Sequence, residues 1–355
     1  MDACLEARLI AKAEQQEERL IATAEQLYAC AVIRPPLASN YARVYRCRQG
    51  QKTFILKAIS ADLQSPAHVL GTLSFVTHLR EHGVPAPAPV PSITGELVET
   101  VELGGGPHTL WAIEELPGAR VDWRHWTPVL FQQWGALLGS IHALAKGFSL
   151  PPGAVRPVWR DEWAMDYRSI PAEYTRVREQ ADALYERLRS LPEDGDGFGI
   201  GHADLHQENF FLDGSALLPF DFDNCLYNWF IADFSPILHN ALLAQRHHYQ
   251  RGEYAYWAGG QPMDGPTFTA HFLGHFWNGY QGEHDLDPEW LLRLPDFFLR
   301  RHLSVWAERV TSGPASPGSF PWRPLARFTR EVEDTAWIDA LFAPALRQLL
   351  GPGGR

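Results

Sequence analysis

The stretch that most constrains this chain spans residues 201–224 and reads GHADLHQENFFLDGSALLPFDFDN. Two apolar runs flank Asp213-Gly214, a pattern typical of a β-hairpin with a tight turn. The hairpin would return Asp221 to the side of Asn209, and Asp204 lies on the loop that enters it. The pattern therefore predicts three acceptor groups near one point, which suits a metal ion and a hydroxyl group.

Three chemical interpretations of this stretch compete. In the first, Asp204 orients or deprotonates an acceptor hydroxyl. Asn209 and Asp221 then hold magnesium and Lys57 meets nucleotide phosphates, since phosphoryl transfer needs positioning and charge neutralisation. In the second, a hydrolase binds zinc or iron through imidazoles and carboxylates. Its candidate ligands are His202, Asp204, His206, Asp221 and Asp223. In the third, the same side chains are helix caps, loop braces or solvated groups. Only the first interpretation uses both Asn209 and Lys57.

Lys57 lies within the apolar run FILKAI, which is the second strand of a predicted antiparallel hairpin that turns at Gln49-Gly50. A lysine inside such a strand loses its hydration unless an anion meets it. The alternative is a strand lysine that faces solvent.

The order of elements predicts an α+β chain. Its 355 residues are long for one core and suit two lobes. Apolar residues at helical spacing predict an N-terminal helical extension over residues 1–36, ended by Pro35-Pro36. Residues 37–115 read as strands with one helix near residues 65–82, and residues 116–355 as mainly helical. The sequence therefore predicts a β-rich first lobe and a helical second lobe.

Composition excludes several classes of protein. The formal net charge of −11 argues against a broad nucleic-acid surface, whose affinity comes from Lys and Arg. The sequence contains no apolar run long enough for a membrane span, and its acidic N-terminus does not resemble a targeting signal. We therefore expect a cytoplasmic protein without a nucleic-acid or membrane partner. The sequence does not fix the oligomeric state.

The central stretch carries a family resemblance. HADLHQEN at residues 202–209 matches the His-x-Asp-x-x-x-x-Asn catalytic loop in the form used by the aminoglycoside phosphotransferase family, and FDFD at residues 220–223 resembles its magnesium-binding strand end. The resemblance implies a bilobal, protein-kinase-like fold with a small antiparallel-sheet N-lobe and a larger, mainly helical C-lobe. It also implies ATP and Mg²⁺ as cofactors, with Asp204 as the catalytic residue and Asn209, Asp221 and Asp223 at the metal.

The resemblance extends over most of the chain and assigns further roles. The residues that it places at the nucleotide are Lys57, Asn40, Arg43, Glu114, Glu115 and Leu116. The residues that it implies as supports of the catalytic loop are His202 and Asp233. The pattern of Gly279-Tyr280, Arg300-Arg301 and Trp306 is similar to the branch that contains type II homoserine kinases and stress-response Ser/Thr kinases.

Two features depart from the family pattern. The family usually has a glutamate on the lobe helix that pairs with the lysine, but Gly71-Thr72 stands at the expected position. Either Glu81 or another acid substitutes, or Lys57 works unpaired. The hairpin also lacks glycines over residues 39–43. Both departures put the nucleotide geometry in question.

The sequence thus predicts transfer of the γ-phosphoryl group of ATP to a hydroxyl of a small molecule, such as an amino alcohol, an aminoglycoside-like or a homoserine-like compound, or of a protein Ser/Thr. The alternatives are a nucleotide-binding relative with little activity and a metal-dependent hydrolase. The candidate acceptor-binding residues are Asp161, Glu162, Trp163, Asp166 and Tyr167. Their acids and rings suit an amine-bearing acceptor, although a helix start with solvated acids would have the same composition.

Overall fold

The computed structural model describes residues 3–39, 42–250, 263–312 and 324–351. The chain forms two compact units. Unit 1 comprises Met1–Pro117 and Ser149–Arg156, and unit 2 comprises Gly118–Phe148 and Pro157–Arg355. The short segment Ser149–Arg156 thus belongs to unit 1, although its neighbours in the chain belong to unit 2. The sequence-based boundary near residue 115 did not anticipate this return.

Unit 1 is an antiparallel sheet with two helices. The helices are α1 (Ala3–Tyr28) and α2 (Pro66–Glu81). The strands are β1 (Ala31–Leu37), β2 (Arg43–Gln49), β3 (Lys52–Ser60), β4 (Pro89–Val90), β5 (Val98–Leu103) and β6 (Gly106–Glu114). The sheet runs β1-β2-β3-β6, and β6 pairs with both β4 and β5 on its other side. In this register Lys57 pairs with Val44 on β2 and with Trp111 on β6.

The sheet of unit 1 buries apolar side chains against both helices. On α1, Leu20, Ala24 and Tyr28 follow one another at four-residue spacing and pack with residues of β2, β3, β5 and β6. On α2, Val69 and Leu73 form a second cluster with strand residues that include Trp111. Helix α1 is therefore part of the core of unit 1.

The N-terminal segment differs from its prediction in one respect. Helix α1 ends at Tyr28, and the chain enters β1 before it reaches Pro35-Pro36. These prolines lie in β1, where the register with β2 shifts between Ile33 and Leu37. Strand β1 is at the edge of the sheet, the position at which a strand tolerates residues without an N–H donor. The predicted helical extension over residues 1–36 is thus a helix followed by an edge strand.

Unit 2 is mainly helical in the part of the chain that the structure describes. Its helices are α3 (Pro128–Ala145), α4 (Trp159–Ser169), α5 (Thr175–Leu188), α6 (Phe234–Gln250), α7 (Gly265–Gln281), α8 (Leu294–Ser312), α9 (Leu325–Glu333) and α10 (Ala336–Leu350). Its strands are β7 (Ala119–Arg120), β8 (Phe198–Gly201), β9 (Phe210–Asp213), β10 (Ala216–Pro219) and β11 (Leu226–Trp229). Strands β10, β9 and β7 form one antiparallel sheet, and β11 pairs with β8 in another.

Helices α3 and α7 approach each other closely in unit 2. A Cβ atom on Gly135 would lie 1.8 Å from the carbonyl oxygen of Phe276, and one on Gly279 would lie 1.9 Å from that of Gln132. Only glycine permits this backbone contact, because any larger residue would push the helices apart. The contact fixes the α7 residue Tyr280 against the inner face of α3.

No helix in the described part of the chain combines the length and the apolar character that a membrane crossing requires.

Candidate active site

Two short sheets frame the central stretch in unit 2. Strand β8 ends at Gly201, the catalytic loop covers residues 202–209, and the β9–β10 hairpin follows. The amide of Phe220 donates to the carbonyl of Asn209 (2.9 Å), which closes the base of the hairpin. The chain then turns through Phe222–Asn224, a 3₁₀ helix, into β11, which pairs back onto β8. The predicted hairpin therefore exists, and it places Asp221 one residue beyond the partner of Asn209.

A buried carboxylate holds the start of the catalytic loop. Asp233 accepts hydrogen bonds from the backbone amides of His202 (2.8 Å) and Ala203 (3.0 Å), and from Nε2 of His142 (3.1 Å). Ala203 has a left-handed backbone with φ of 66°. The hydrogen bond from its backbone amide to Asp233 stabilises this uncommon conformation. Gly201 leaves room for the carboxylate, since a Cβ atom there would lie 2.6 Å from an Asp233 oxygen.

His202 braces the loop through backbone hydrogen bonds on both ring nitrogens. Nδ1 accepts from the amide of Asp204 (3.4 Å), so the network assigns the proton to Nε2, which donates to the carbonyl of Phe220 (3.1 Å). Burial lowers the pKa of His202, although nearby carboxylates oppose the effect, and this favours the neutral ring. A ring with both nitrogens engaged in this way is not available as a metal ligand.

Two further bonds fix the middle of the loop. The side-chain amide of Asn209 donates from Nδ2 to the carbonyl of Asp204 (2.8 Å). The buried Trp134 on α3 donates from Nε1 to the carbonyl of Leu205 (2.9 Å). These hydrogen bonds fix the backbone on either side of Asp204 and so set the direction in which its side chain projects.

Asp204 stands in a positive local field. Its Oδ1 accepts from Arg301 of α8 (3.0 Å), and its Oδ2 lies 3.6 Å from Nε2 of His206 and 3.5 Å from the side-chain amide of Asn224. Burial acts to raise the pKa of Asp204, but Arg301 and then His206 outweigh it, so the pKa lies below the usual range of an aspartate. Asp204 is therefore an ionised carboxylate at neutral pH.

The donor chemistry at the hairpin base fits magnesium. Asn209 and Asp221 offer carboxamide and carboxylate oxygens, the hard ligands that Mg²⁺ prefers, and Mg²⁺ commonly takes only one or two protein ligands. Asp221 adopts a left-handed backbone with φ of 64° directly after Phe220, whose carbonyl His202 holds. Among the described residues, no group of three or more His, Cys, Asp or Glu side chains is placed to hold a metal ion. The engaged ring of His202 argues against the hydrolase interpretation, which needs this ring as a ligand.

The nucleotide-binding candidates lie in unit 1. Lys57 is in the middle of β3 with 8% of its surface exposed, so the alternative of a solvent-facing lysine is excluded. Glu114 pairs with Arg80 (2.8 Å), and Glu115 with Arg46 (2.6 Å). Leu116 directly follows them. Arg43 begins β2, whereas Asn40 lies outside the described residues.

At the position of helix α2 where the family usually has a glutamate, Gly71 and Thr72 contact the segment Ser149–Arg156. A Cβ atom on Gly71 would lie 2.4 Å from the carbonyl oxygen of Val155. Thr72 is buried and accepts from Nη1 of Arg156 (2.8 Å), which also donates to the carbonyl of His68 (3.1 Å). The segment Ser149–Arg156 therefore occupies the space in which an acid at this position of α2 would stand.

The five acceptor candidates separate into distinct environments on α4. Asp161 accepts from the amide of Val158 (3.0 Å), as a helix-capping residue does. Glu162 and Asp166 both pair with Arg300 (3.0 and 2.6 Å). The last two candidates are aromatic: Trp163 is buried under the guanidinium of Arg300, and Tyr167 lies under that of Arg178.

A small cavity joins part of this acidic cluster to the catalytic loop. It has a volume of about 50 Å³, and its lining includes Glu162, Ala203, Arg300 and Arg301. Of the five candidates, Glu162 is therefore the one that shares this cavity with the catalytic loop.

Sequence reasoning missed several residues that contact the loop. Arg301 was noted only as part of a branch pattern, and Trp134 and His142 were not singled out. Each of the three lies on a helix and is separated by 71 to 97 residues in sequence from the residue that it contacts, which is Asp233 or a residue of the loop. A buried tryptophan or histidine on an apolar helix face is usually a core residue, so no sequence pattern indicates these contacts.

Comparisons with known proteins show which family this chain resembles. The model of the phosphotransferase enzyme family matches residues 32–264. Amicoumacin kinase of Bacillus subtilis (strain 168) is 35% identical over 314 residues, which covers 87% of this chain and 89% of that protein. Among solved structures, an amicoumacin kinase in complex with AMP-PNP, Ca²⁺ and Ami superimposes with a TM-score of 0.79 at 31% identity, covering 92% of this chain and 96% of that chain. A microcompartment-associated aminopropanol kinase gives a TM-score of 0.63 at 21% identity over 92% of this chain and 94% of that chain, which supports the fold.

These similarities confirm the predicted α+β, kinase-like fold. They also confirm the enzyme class, a small-molecule kinase that acts on a hydroxyl group. Since the family model spans about two thirds of the sequence and the Bacillus relative spans most of it, the chain belongs to the phosphotransferase enzyme family.

Proposed function

We propose that this kinase transfers the γ-phosphoryl group of ATP, with Mg²⁺, to a hydroxyl of an amine-bearing small molecule. The observation that carries the proposal is the ionised Asp204 on a loop that buried bonds from Asp233, His202 and Trp134 hold in place. Phosphoryl transfer depends on such positioning, because the loose transition state leaves the protein little covalent chemistry to perform.

Asp204 is the residue that receives the acceptor proton. Arg301 engages Oδ1, which orients the carboxylate so that Oδ2 is available to an acceptor hydroxyl. As the bond from the acceptor oxygen to γ-phosphorus forms and the bond to the leaving ADP breaks, the hydroxyl proton passes to Asp204. In a loose transition state this proton leaves late, so a carboxylate with a lowered pKa is a sufficient base.

Asn209 and Asp221 would hold the metal, with Asp223 assisting. Magnesium, when bound, neutralises phosphate charge. The protein contributes a rigid frame for these two oxygen donors, because the Asn209 carbonyl and the Phe220 amide are bonded across the hairpin base. In unit 1, the buried Lys57 is the proposed contact of the nucleotide phosphates, and the backbone of Glu114, Glu115 and Leu116 that of adenine.

The acidic cluster around Arg300 and Arg301 supports a cationic acceptor. Three carboxylates, those of Glu162, Asp166 and Asp204, are paired with only two guanidinium groups. The formal excess of one negative charge favours an ammonium group at this site, and burial, opposed by Arg300, raises the pKa of Glu162, which a bound cation would lower again. The Bacillus relative is named an amicoumacin kinase and another structure an aminopropanol kinase, so amicoumacin is the first acceptor to test, followed by aminopropanol.

A thermal-shift assay tests nucleotide and metal binding without an acceptor. ATP with Mg²⁺ should raise the Tm by more than ATP with EDTA, and GTP serves as the comparison nucleotide. Asp221→Ala should lose the magnesium-dependent part of the shift. Asp213→Ala is the matched control, because this exposed aspartate lies at the hairpin turn of the same stretch. An ATP shift that does not depend on magnesium, or that survives Asp221→Ala, would refute the metal assignment.

A turnover assay tests the reaction. Amicoumacin, aminopropanol, homoserine, an aminoglycoside and a Ser peptide are offered with radiolabelled ATP, and phosphorylated product is measured. Asp204→Asn should lower kcat by about 10²- to 10⁴-fold while the Mg-ATP thermal shift persists. Transfer to the peptide alone would overturn the small-molecule proposal. Binding of Mg-ATP without transfer to any compound would favour the nucleotide-binding alternative.

A further inference from the structure

The catalytic loop is connected to α7 by a buried chain of hydrogen bonds. The Tyr280 hydroxyl lies 2.8 Å from Nδ1 of His142, and Nε2 of His142 lies 3.1 Å from Oδ2 of Asp233. That same Asp233 oxygen accepts from the amide of His202. The side chains of Tyr280, His142 and Asp233 are each at most 3% exposed. The roles proposed above for the loop do not use Tyr280.

The hydrogen-bond pattern orders the protons along this chain. Asp233 accepts from backbone amides, so its bond to His142 is satisfied when Nε2 carries a proton and donates. With the ring proton on Nε2, Nδ1 is the acceptor, and the Tyr280 hydroxyl is the donor that meets it. Burial, with a smaller contribution from Asp233, raises the pKa of Tyr280 well above its usual value, which keeps the hydroxyl protonated.

We propose that Tyr280 is a positioning residue for the reaction: its hydroxyl fixes the His142 tautomer that holds Asp233, and thereby holds the catalytic loop in its working conformation. The proposal rests on the proposed function for its kinetic readout but not for its structural one. Without the hydroxyl, Nδ1 of His142 loses its donor, so the ring proton can move to Nδ1 and leave Nε2 unable to donate to Asp233. Asp233 would then hold the strained backbone at Ala203 less firmly.

The packing of α3 against α7 explains how a helix outside the loop acts on it. His142 lies on α3 and Tyr280 on α7, and the close glycine contacts between the two helices leave little freedom for either side chain. His142 is stacked on Phe230 with ring centres 4.5 Å apart and meets Tyr280 edge to face. The ring therefore has a fixed plane, and Asp233 on Nε2 and the Tyr280 hydroxyl on Nδ1 together set which nitrogen carries the proton.

The test compares two variants that each remove one hydroxyl from α7. Tyr280→Phe should lower kcat by about five- to tenfold with both KM values within twofold of wild type, since one buried hydrogen bond is lost and no substrate contact changes. Thr269→Val is the matched control, because the buried Thr269 hydroxyl bonds only within the helix, to the carbonyl of Gly265. It should leave kcat unchanged. Equal kcat values in the two variants would refute the proposal.

A double-mutant cycle tests the route through His142. In His142→Gln, the side-chain amide can still donate to Asp233, and it has no tautomers for Tyr280 to select. In His142→Leu, the side chain has no hydrogen-bond donor for Asp233. His142→Gln should therefore retain more activity than His142→Leu, and Tyr280→Phe should change kcat less than twofold in the His142→Gln background. An undiminished Tyr280→Phe effect in that background would show that the hydroxyl acts by another route.

Hydrogen exchange gives a readout that needs no substrate. Peptides that contain the amides of His202 and Ala203 should exchange faster in Tyr280→Phe than in wild type or Thr269→Val. Faster exchange with no measurable transfer would leave the positioning role supported and the proposed function in error. Unchanged exchange at these amides would refute the positioning role whatever the activity.

Discussion

Arg301 allows a direct test of the electrostatics at Asp204, the proposed catalytic carboxylate. Arg301→Met keeps an apolar stem of similar length but removes the guanidinium that lies 3.0 Å from Asp204. Arg300→Met is the matched control, because Arg300 is the next residue of α8 and pairs instead with Glu162 and Asp166. The two variants change the net charge equally and differ in which carboxylate loses its partner.

The size of the effect follows from the distance and the exposure. Two unit charges about 4 Å apart interact by about 4 kcal/mol at an effective dielectric constant of about 20. The side chains of Arg301 and Asp204 are 28% and 16% exposed, so solvent screening reduces the interaction to about 1–2 kcal/mol. In wild type, Arg301 and His206 together overcome the burial that acts to raise the pKa of Asp204. Removal of Arg301 leaves that burial opposed mainly by His206, so the pKa must rise.

The assay is the pH dependence of kcat/KM from pH 5 to 8. Wild-type Asp204 has a lowered pKa and is ionised over this whole range, so it does not set the acid limb. In Arg301→Met its pKa moves upward, and the activity at pH 5 relative to pH 8 should fall. Ionisation of the nucleotide phosphate, with a pKa of about 6, affects all variants alike. An Arg301→Met profile that superimposes on wild type, or an Arg300→Met profile that shifts equally, would refute the reasoning.

Three shorter predictions concern stability and local roles. Gly279→Ala places a Cβ atom 1.9 Å from a carbonyl oxygen of α3 and should cost about 3 kcal/mol or more in urea unfolding, whereas Gly147→Ala, whose nearest contact is 3.7 Å, should change stability by less than about 1 kcal/mol. Asp161→Ala should cost about 0.3–1.5 kcal/mol, because it removes the carboxylate that accepts from the N-cap amide of Val158, with the acceptor KM unchanged. Thr72→Val should cost about 1–3 kcal/mol, because it removes an acceptor from the buried Arg156; an unchanged urea midpoint would contradict this.

Sequence reasoning succeeded where structure is decided by near neighbours. The β9–β10 hairpin and helix α2 follow from local patterns of apolar residues and turns, and their predicted positions are close to the observed ones. Trp159–Ser169 mixes charged and aromatic residues without a clear apolar stripe, so the sequence left open whether its acids form an acceptor pocket or the start of a helix, and the structure shows helix α4. The bond of His202 to Phe220 spans only 18 residues and follows once the hairpin is accepted.

The contacts that make the loop rigid could not be predicted in this way. The loop and Asp233 are contacted from helices far along the chain by Arg301, Trp134 and His142. Which residues make these contacts depends on how α3, α7 and α8 pack. Spacing within one helix indicates which residues face inward, but not which neighbour they meet. The family resemblance assigned Asp233 its supporting role, while the structure adds the histidine that holds it.

The missing acid on α2 shows how packing can replace an expected ion pair. Gly71 lies against the carbonyl of Val155, and Thr72 is bonded to Arg156, so this turn of α2 faces the segment Ser149–Arg156. An acidic side chain at Gly71 would clash with the carbonyl oxygen of Val155. Its negative charge would also be repelled by that oxygen. The orientation of α2 is thus set by a guanidinium that bonds a hydroxyl and a helix carbonyl. Because β2 and β6 both pair with β3 at Lys57, the sheet holds this residue in its strand whether or not α2 carries an acid.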